Sequence, residues 1–165
     1  MRIIKLGLIS LLVLGIMVFL LSLLIPSHVR ISRAMNIATN KDSVMNKLVD
    51  IRQWEQWNEM INNPALGEKH YSEKLFKGGD LEVRVISVSP DSVITNWKHG
   101  QSETIHSGFN LVQSLSDTTV VQWYFDFHLK WYPWEKFGSI IFDQQLGPPM
   151  ERSLGNLKRS VEIKN

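Results

Sequence analysis

The sequence LKWYPWEKFGSIIFDQQLGPPMERSLGNLKRSVE, residues 129–162, ends in the most regular helical pattern of the chain. Its apolar residues Met150, Leu154, Leu157 and Val161 recur at steps of four, three and four. This spacing places them on one face of an α-helix and directs the charged residues of the segment elsewhere. Because alternating patterns precede it, we expect this helix to cover one face of a curved antiparallel sheet.

The same stretch contains a helix-breaking sequence. A first helix is predicted from Trp134 or Glu135 to about Leu146. Gly-Pro-Pro follows at residues 147–149. Two prolines do not fit inside a regular helix, although one is accommodated in the first turn of a new helix. We therefore predict a kinked or two-piece helix whose second part runs to about Ile163.

The hundred or so residues before this stretch read as an antiparallel sheet with one buried and one wet face. The clearest strand is residues 118–130, where alternate side chains are large and apolar. They are Val121, Trp123, Phe125, Phe127 and Leu129. Further strands are predicted at residues 28–37, 71–76, 81–85, 93–99 and 104–113, with a short helix after the first of them. Gly78-Gly79-Asp80 and Ser89-Pro90-Asp91 have the composition of turns.

The N-terminal segment is predicted to be a transmembrane anchor. From Leu6 to Ile25, twenty residues carry no charge, and about twenty is the length that a helix needs to span a bilayer. Apolar residues cover the whole circumference, so an amphipathic surface helix is not expected. A cleaved signal peptide is the alternative, but the run is long and the exit LLIPSHVR has no small-x-small cleavage pattern. We predict an anchor at residues 1–27 and a soluble domain at residues 28–165.

Charge indicates an orientation and excludes one class of partner. Arg2 and Lys5 favour a cytoplasmic N-terminus, which would place residues 28–165 outside the cytoplasm, although Arg30 and Arg33 follow closely on the other side. Those first two account for two of the 18 basic residues, so the remainder carries 16 basic and 16 acidic groups. No basic run is present, and nucleic acid is therefore not an expected partner. The chain has no cysteine, which excludes disulfides and thiolate metal sites.

The predicted order of strand, short helices, strand meander and long C-terminal helix is the helix-grip arrangement. Four segments are similar to those of membrane-anchored bacterial proteins of the START-like, polyketide-cyclase/SRPBCC superfamily. They are VRISRAMNI at 29–37, IRQWEQWNEM at 51–60, YPWEKFGSIIF at 132–142 and LGPPMERSLGNLKRSVE at 146–162. The resemblance covers nearly the whole chain, anchor included, and departs from the superfamily pattern at Pro148-Pro149. It implies an α+β, START/Bet v1-like fold whose sheet wraps around the C-terminal helix and encloses a hydrophobic pocket.

The inward aromatic stripe is the candidate ligand site. The residues expected to line a cavity are Trp97, Phe109, Trp123, Phe125, Phe127, Met150 and Leu154. Large rings can frame a space that an apolar ligand fills, but the same rings can also fill that space as an ordinary core. Trp54 and Trp57 have two interpretations as well, an aromatic gate over the cavity mouth or packing of a short helix on the sheet.

No catalytic residue, metal site or cofactor is predicted. The five histidines form no HxH or HExxH pair, and the GxSxG, GxGxxG and P-loop motifs do not occur. Some START-like relatives catalyse cyclisation or dehydration, for which His106, Tyr124 and Asp126 are the candidates here. Tyr124 and Asp126, however, fall on the face opposite the aromatic stripe.

The leading hypothesis is a membrane-tethered, single-pass binding module, not a catalyst, for a small hydrophobic or lipid-like ligand. One alternative is an enzyme of the cyclase/dehydrase kind that uses the same cavity. The other is a closed-core interaction domain that presents Trp131, Tyr132 and Trp134 to a partner or to the membrane interface.

Overall fold

Seven antiparallel strands and a long C-terminal helix confirm the predicted α+β helix-grip fold. The computed structural model describes residues 2–114 and 117–162. The helices are α1 (Arg2–Leu23), α2 (Lys41–Val49), α3 (Pro133–Ser139) and α4 (Phe142–Glu162). The strands are β1 (His28–Ile37), β2 (Lys69–Tyr71), β3 (Leu75–Gly78), β4 (Leu81–Ser89), β5 (Ser92–His99), β6 (Ile105–Gln113) and β7 (Thr119–His128). Two 3₁₀ helices, Ile51–Gln56 and Pro64–Leu66, lie between α2 and β2.

The sheet joins the first strand to the last. Its order is β1-β7-β6-β5-β4-β3-β2, so the chain forms a meander that closes on its own first strand. β1 and β7 pair along their whole length, from His28 opposite His128 to Ile37 opposite Thr119. α4 packs against the inner face of this sheet with Met150, Leu154 and Leu157 fully buried.

The meander has one turn more than was predicted, in addition to the predicted turn at Gly78-Gly79-Asp80. Residues 71–76, predicted as one strand, contain the end of β2 and the start of β3, with Tyr71 opposite Phe76. The amide and the hydroxyl of Ser72 both donate to the carbonyl oxygen of Leu75, at 2.8 and 3.0 Å, and these bonds close a tight turn. These local hydrogen bonds stabilise a turn in a segment whose sequence pattern favours a continuous strand.

Of the two forms predicted for this helix, kinked or two-piece at the prolines, the two-piece form was wrong. The chain breaks at Ile140 and Ile141 instead, and α4 continues through Pro148 and Pro149. A proline in a helix interior costs about 3 kcal/mol, whereas burial of each Leu, Met or Val side chain contributes about 1.5–3 kcal/mol. Residues on both sides of the prolines pack on the core, Phe142 and Leu146 before them and Met150 and Leu154 after them, and a continuous α4 keeps both sets of contacts.

Arg33 interrupts the alternation of β1 because it faces α4 and not solvent. Its guanidinium binds Asp143 (Nη1–Oδ1 2.9 Å) and Glu151 (Nε–Oε1 2.6 Å), one helical turn before and after Gly147. A Cβ on Gly147 would lie 2.1 Å from Nη2 of Arg33, so the Arg33 side chain crosses α4 at a position where the helix has no side chain of its own. This contact fixes the position of α4 along its own axis relative to β1.

α1 is a helix that can cross a bilayer by length and composition, a property that signal sequences share. From Ile3 to Leu23, every side chain except Ser22 is exposed, so α1 is not a core helix. Its 21 residues span about 31 Å at 1.5 Å per residue, which matches a hydrocarbon core of about 30 Å.

Candidate functional site

The predicted lining residues come together in one cluster between the sheet and α4. Trp97, Phe109, Trp123 and Phe125 are buried from β5, β6 and β7, and α4 adds Met150 and Leu154. The rings contact one another: the centroids of Phe109 and Trp123 are 5.1 Å apart, and those of Trp97 and Phe125 are 5.2 Å apart. In this part of the interior, the rings fill the space between them.

Trp54 and Trp57 belong to the same cluster, which supports the packing interpretation. Both are buried on the 3₁₀ helix Ile51–Gln56 and the residue after it. The centroid of Trp54 lies 5.5 Å from that of Phe109, and the centroid of Trp57 lies 6.3 Å from that of Trp123. The indole N–H of Trp54 donates to the carbonyl oxygen of Leu48 at 2.9 Å and ties the 3₁₀ helix to α2.

Two buried donors beside this cluster lack acceptors within the described residues. They are Nε1 of Trp57 and Nδ2 of Asn58. A buried N–H group without a partner is costly, and such groups in native proteins bind ordered water or a ligand. The sequence contained no signal for this feature, because which donors remain without acceptors depends on how the 3₁₀ helix sits against the sheet.

An open cleft of about 590 Å³ begins where the aromatic stripe ends. One side of the cleft is formed by the start of β6 and the end of β7, and the other side by α3 and the start of α4. Its apolar lining consists of Ile105, Phe127, Leu129, Trp134, Gly138 and Phe142. Phe127, the outermost of the predicted lining residues, therefore lines this cleft, and its ring contacts that of Phe142 at 4.8 Å between centroids.

The rim of the cleft is charged. Nζ of Lys130 binds Glu103 at 2.8 Å, and its backbone amide donates to Glu135 at 2.8 Å. The hydrogen bond to Glu103 raises the pKa of Lys130. Lys130, Glu103 and Glu135 give the cleft a charged rim around an apolar floor, an arrangement that suits an amphiphilic molecule.

The residues considered for acid–base chemistry have their side-chain partners on the outer face of the sheet, although Asp126 is also among the residues that line the cleft. Asp126 accepts two hydrogen bonds from Arg30, both at 2.6 Å, and these hold the pKa of Asp126 below its ordinary value. The guanidinium of Arg30 also lies 4.5 Å from the centre of the Tyr124 ring. His106 is hydrogen-bonded through Nδ1 to Asn96 at 2.8 Å. A carboxylate held ionised in this way is a poor general base near neutral pH.

The cleft opens at the end of the sheet where α1 joins it. The amide of Leu129 donates to the carbonyl oxygen of Ser27 at 2.7 Å, directly before β1 begins. α3 packs against the end of α1: Nζ of Lys136 donates to the carbonyl oxygen of Ile25 at 3.0 Å. One wall of the cleft is therefore attached to the end of the apolar helix.

No protein-family model and no curated protein sequence matches the chain. Solved structures do. A START superfamily protein from Mycobacterium smegmatis superposes with a TM-score of 0.57 at 16% identity, covering 82% of this chain and 99% of that one. DynU16, a putative protein in the dynemicin biosynthetic locus, gives 0.55 at 18% identity, covering 81% of this chain and 47% of that one, so the chain spans about half of its length. CalU16 from Micromonospora echinospora gives 0.55 at 12% identity, with 80% and 65% covered. At these identities, the likeness shows the START-like fold.

Proposed function

We propose that this protein is a membrane-tethered, non-catalytic binding module that holds a small hydrophobic or lipid-like molecule in the cleft at the end of β7. The observation that carries the proposal is the position of this apolar cleft beside the end of α1. Bilayers concentrate apolar molecules, so a site next to an anchor meets its ligand at high local concentration.

The size and lining of the cleft suit such a ligand. A molecule that buries about 300 Å² of apolar surface gains on the order of 7 kcal/mol before the cost of ordering it is subtracted. Phe127, Phe142 and Leu129 supply apolar contact, and Lys130 with Glu103 provides charge for a polar end group. The ligand class that we infer is therefore an amphiphile with one polar end.

Gly138 provides a direct test, because it lines the cleft and a Cβ added to it meets no atom within 4 Å. Gly138→Leu should place a side chain in the cleft without disturbing α3. Gly155→Leu is the matched control, since Gly155 also has open space around its Cβ but lies on α4 outside the cleft.

The assay is photo-crosslinking of the full-length protein in nanodiscs with a diazirine-labelled fatty acid, followed by peptide mass spectrometry. We expect cross-links to residues 102–105 and 126–142, reduced about tenfold by Gly138→Leu and unchanged by Gly155→Leu. Cross-links to α1 report membrane exposure and serve as the internal standard. Cross-links that are confined to α1, or equal cleft labelling in both variants, would refute the proposal.

A further inference from the structure

The helix that forms one wall of the cleft, α3, has an apolar exposed face and a buried charged side chain. The outward face of α3 carries Trp134 and Phe137, with Trp131 before the helix and Ile140 and Ile141 after it, and we call these five residues the aromatic patch. Trp131 and Trp134 are 65% and 68% exposed, whereas the charged Lys136 on the inward face is only 6% exposed. A surface helix normally shows the reverse pattern, and a contiguous exposed apolar patch marks an interaction surface.

Contact with α1 indicates what covers this patch. The rings of Phe19 and Trp131 meet edge to face with centroids 6.5 Å apart. Phe19 precedes the last residue of α1, Leu23, by four positions, which corresponds to about 6 Å along the helix axis. Interfacial helices bury their apolar face about 5–10 Å into the headgroup and acyl boundary. If α1 spans the bilayer, the aromatic patch lies at that depth.

The chemistry of the patch agrees with this depth. Trp and Tyr are enriched at the membrane–water boundary, where an apolar ring with a polar edge is favoured. Tyr132 stacks on Trp134 with 4.8 Å between centroids and contacts Trp131 at the same distance, so the three rings form one surface. The nearby charges turn away from it, since Lys136 binds Ile25 and Glu135 accepts from the amide of Lys130.

We infer that α3 lies in the membrane interface beside the anchor and that the ligand enters the cleft directly from the bilayer. The inference rests on the proposed function and assigns the ligand to the amphiphiles that reside in membranes. Trp134 belongs both to the patch and to the lining of the cleft, and Gly138 lies one turn further along the same helix. Lipid contact with α3 is therefore contact with the mouth of the site.

Depth-dependent fluorescence quenching tests the position of α3 separately from ligand binding. The full-length protein is reconstituted into vesicles of phosphatidylcholine brominated either near the headgroup or near the chain end. Four of the six tryptophans lie in the shielded core, so quenching should come from Trp131 and Trp134 and be stronger with the shallow bromines. Trp131→Phe with Trp134→Phe should abolish it. Equal emission in brominated and plain vesicles, with full quenching by aqueous acrylamide, would place the patch in water and overturn the inference.

Uptake from the bilayer is the second readout. Phe137→Glu puts a charge in the patch outside the cleft lining and should slow cross-linking of the diazirine fatty acid supplied in vesicles about tenfold. Val112→Glu is the control, because Val112 is 64% exposed at the far end of β6. Cleft labelling without lipid quenching would refute only the interfacial position, and quenching without cleft labelling would refute only the binding function. A patch that is covered by a second copy or another protein would be protected from both bromines and acrylamide, which also counts against the inference.

Discussion

Gly147 shows how one missing side chain positions an element. Alanine has a helix propensity about 1 kcal/mol better than glycine, although Pro148 directly after this position offsets part of that gain. In the folded protein, its Cβ would displace the guanidinium of Arg33 from Asp143 and Glu151. Overpacking of this kind costs about 1–3 kcal/mol. We expect a net loss of about 1 kcal/mol in the free energy of unfolding, measured by urea denaturation of the full chain in micelles.

A double-mutant cycle checks the cause of that loss. In an Arg33→Ala background, the guanidinium no longer opposes the new methyl group, and Gly147→Ala should then cost less than it does in the parent protein. Gly155→Ala, on the same helix with open space around its Cβ, should stabilise in both backgrounds. If Gly147→Ala costs the same with and without Arg33, another contact is responsible.

Asp126 makes the pairing of β1 with β7 sensitive to acid. Its pKa lies below the ordinary 3.8, chiefly because of the hydrogen bonds from Arg30, so the unfolded chain takes up this proton first as the pH falls. The stabilisation is fully present above the unfolded value and is lost as the pH falls through the folded pKa. Asp126→Asn should cost about 1 kcal/mol at pH 7 and progressively less below pH 4.

The comparison is made by measuring the free energy of unfolding of both proteins between pH 7 and pH 2. Arg30→Gln should also reduce the loss of stability at low pH, because it removes the partner that lowers the pKa of Asp126. A constant difference between Asp126→Asn and the parent across this range would show that the ion pair does not contribute.

At the scale of elements, periodicity predicted what depends on one segment alone. The steps of Met150, Leu154, Leu157 and Val161 were sufficient to place α4 on the sheet, and the alternation of residues 28–37 gave the bounds of β1. The continuity of α4 across Pro148 was not predictable, because it depends on contacts with β1, which lies more than a hundred residues earlier in the chain. The direction of Arg33 was not predictable either, since its partners are carboxylates on α4.

Lys136 connects α3 to the end of α1, a contact that no sequence pattern predicts. Its ammonium group is buried and donates to Ile25, where the chain leaves α1. Lys136→Met keeps the length of the side chain and removes this bond. Loss of about 1 kcal/mol of local stability corresponds to roughly fivefold faster amide hydrogen exchange in residues 131–141. Lys158→Met, a change at a half-buried position on α4, should leave exchange in that segment unchanged. Equal protection in both variants would mean that α3 holds its position without α1.

At the scale of the whole molecule, the location of free space was the least predictable property. The sequence identified the inward stripe of β7 but not which of its residues face other rings and which face a cleft. That division depends on Trp54 and Trp57, which enter from the 3₁₀ helix, and on α3, whose position is fixed through α1. Contacts between segments that are distant in the sequence determine the positions of Trp54, Trp57 and α3.

Two residues of that stripe therefore distinguish a filled core from a ligand site. Trp123 contacts the rings of Trp57, Trp97, Phe109 and Phe125, and its N–H donates to Ser107 at 3.0 Å. Trp123→Phe should lower the free energy of unfolding by about 2–3 kcal/mol and leave fatty-acid cross-linking per folded molecule unchanged. Phe127→Ala, at the half-buried end of the stripe, should cost less stability and reduce cross-linking about tenfold. The opposite result, in which Trp123→Phe loses the ligand and Phe127→Ala retains it, would place the ligand within the ring cluster, beside the unpaired donors of Trp57 and Asn58.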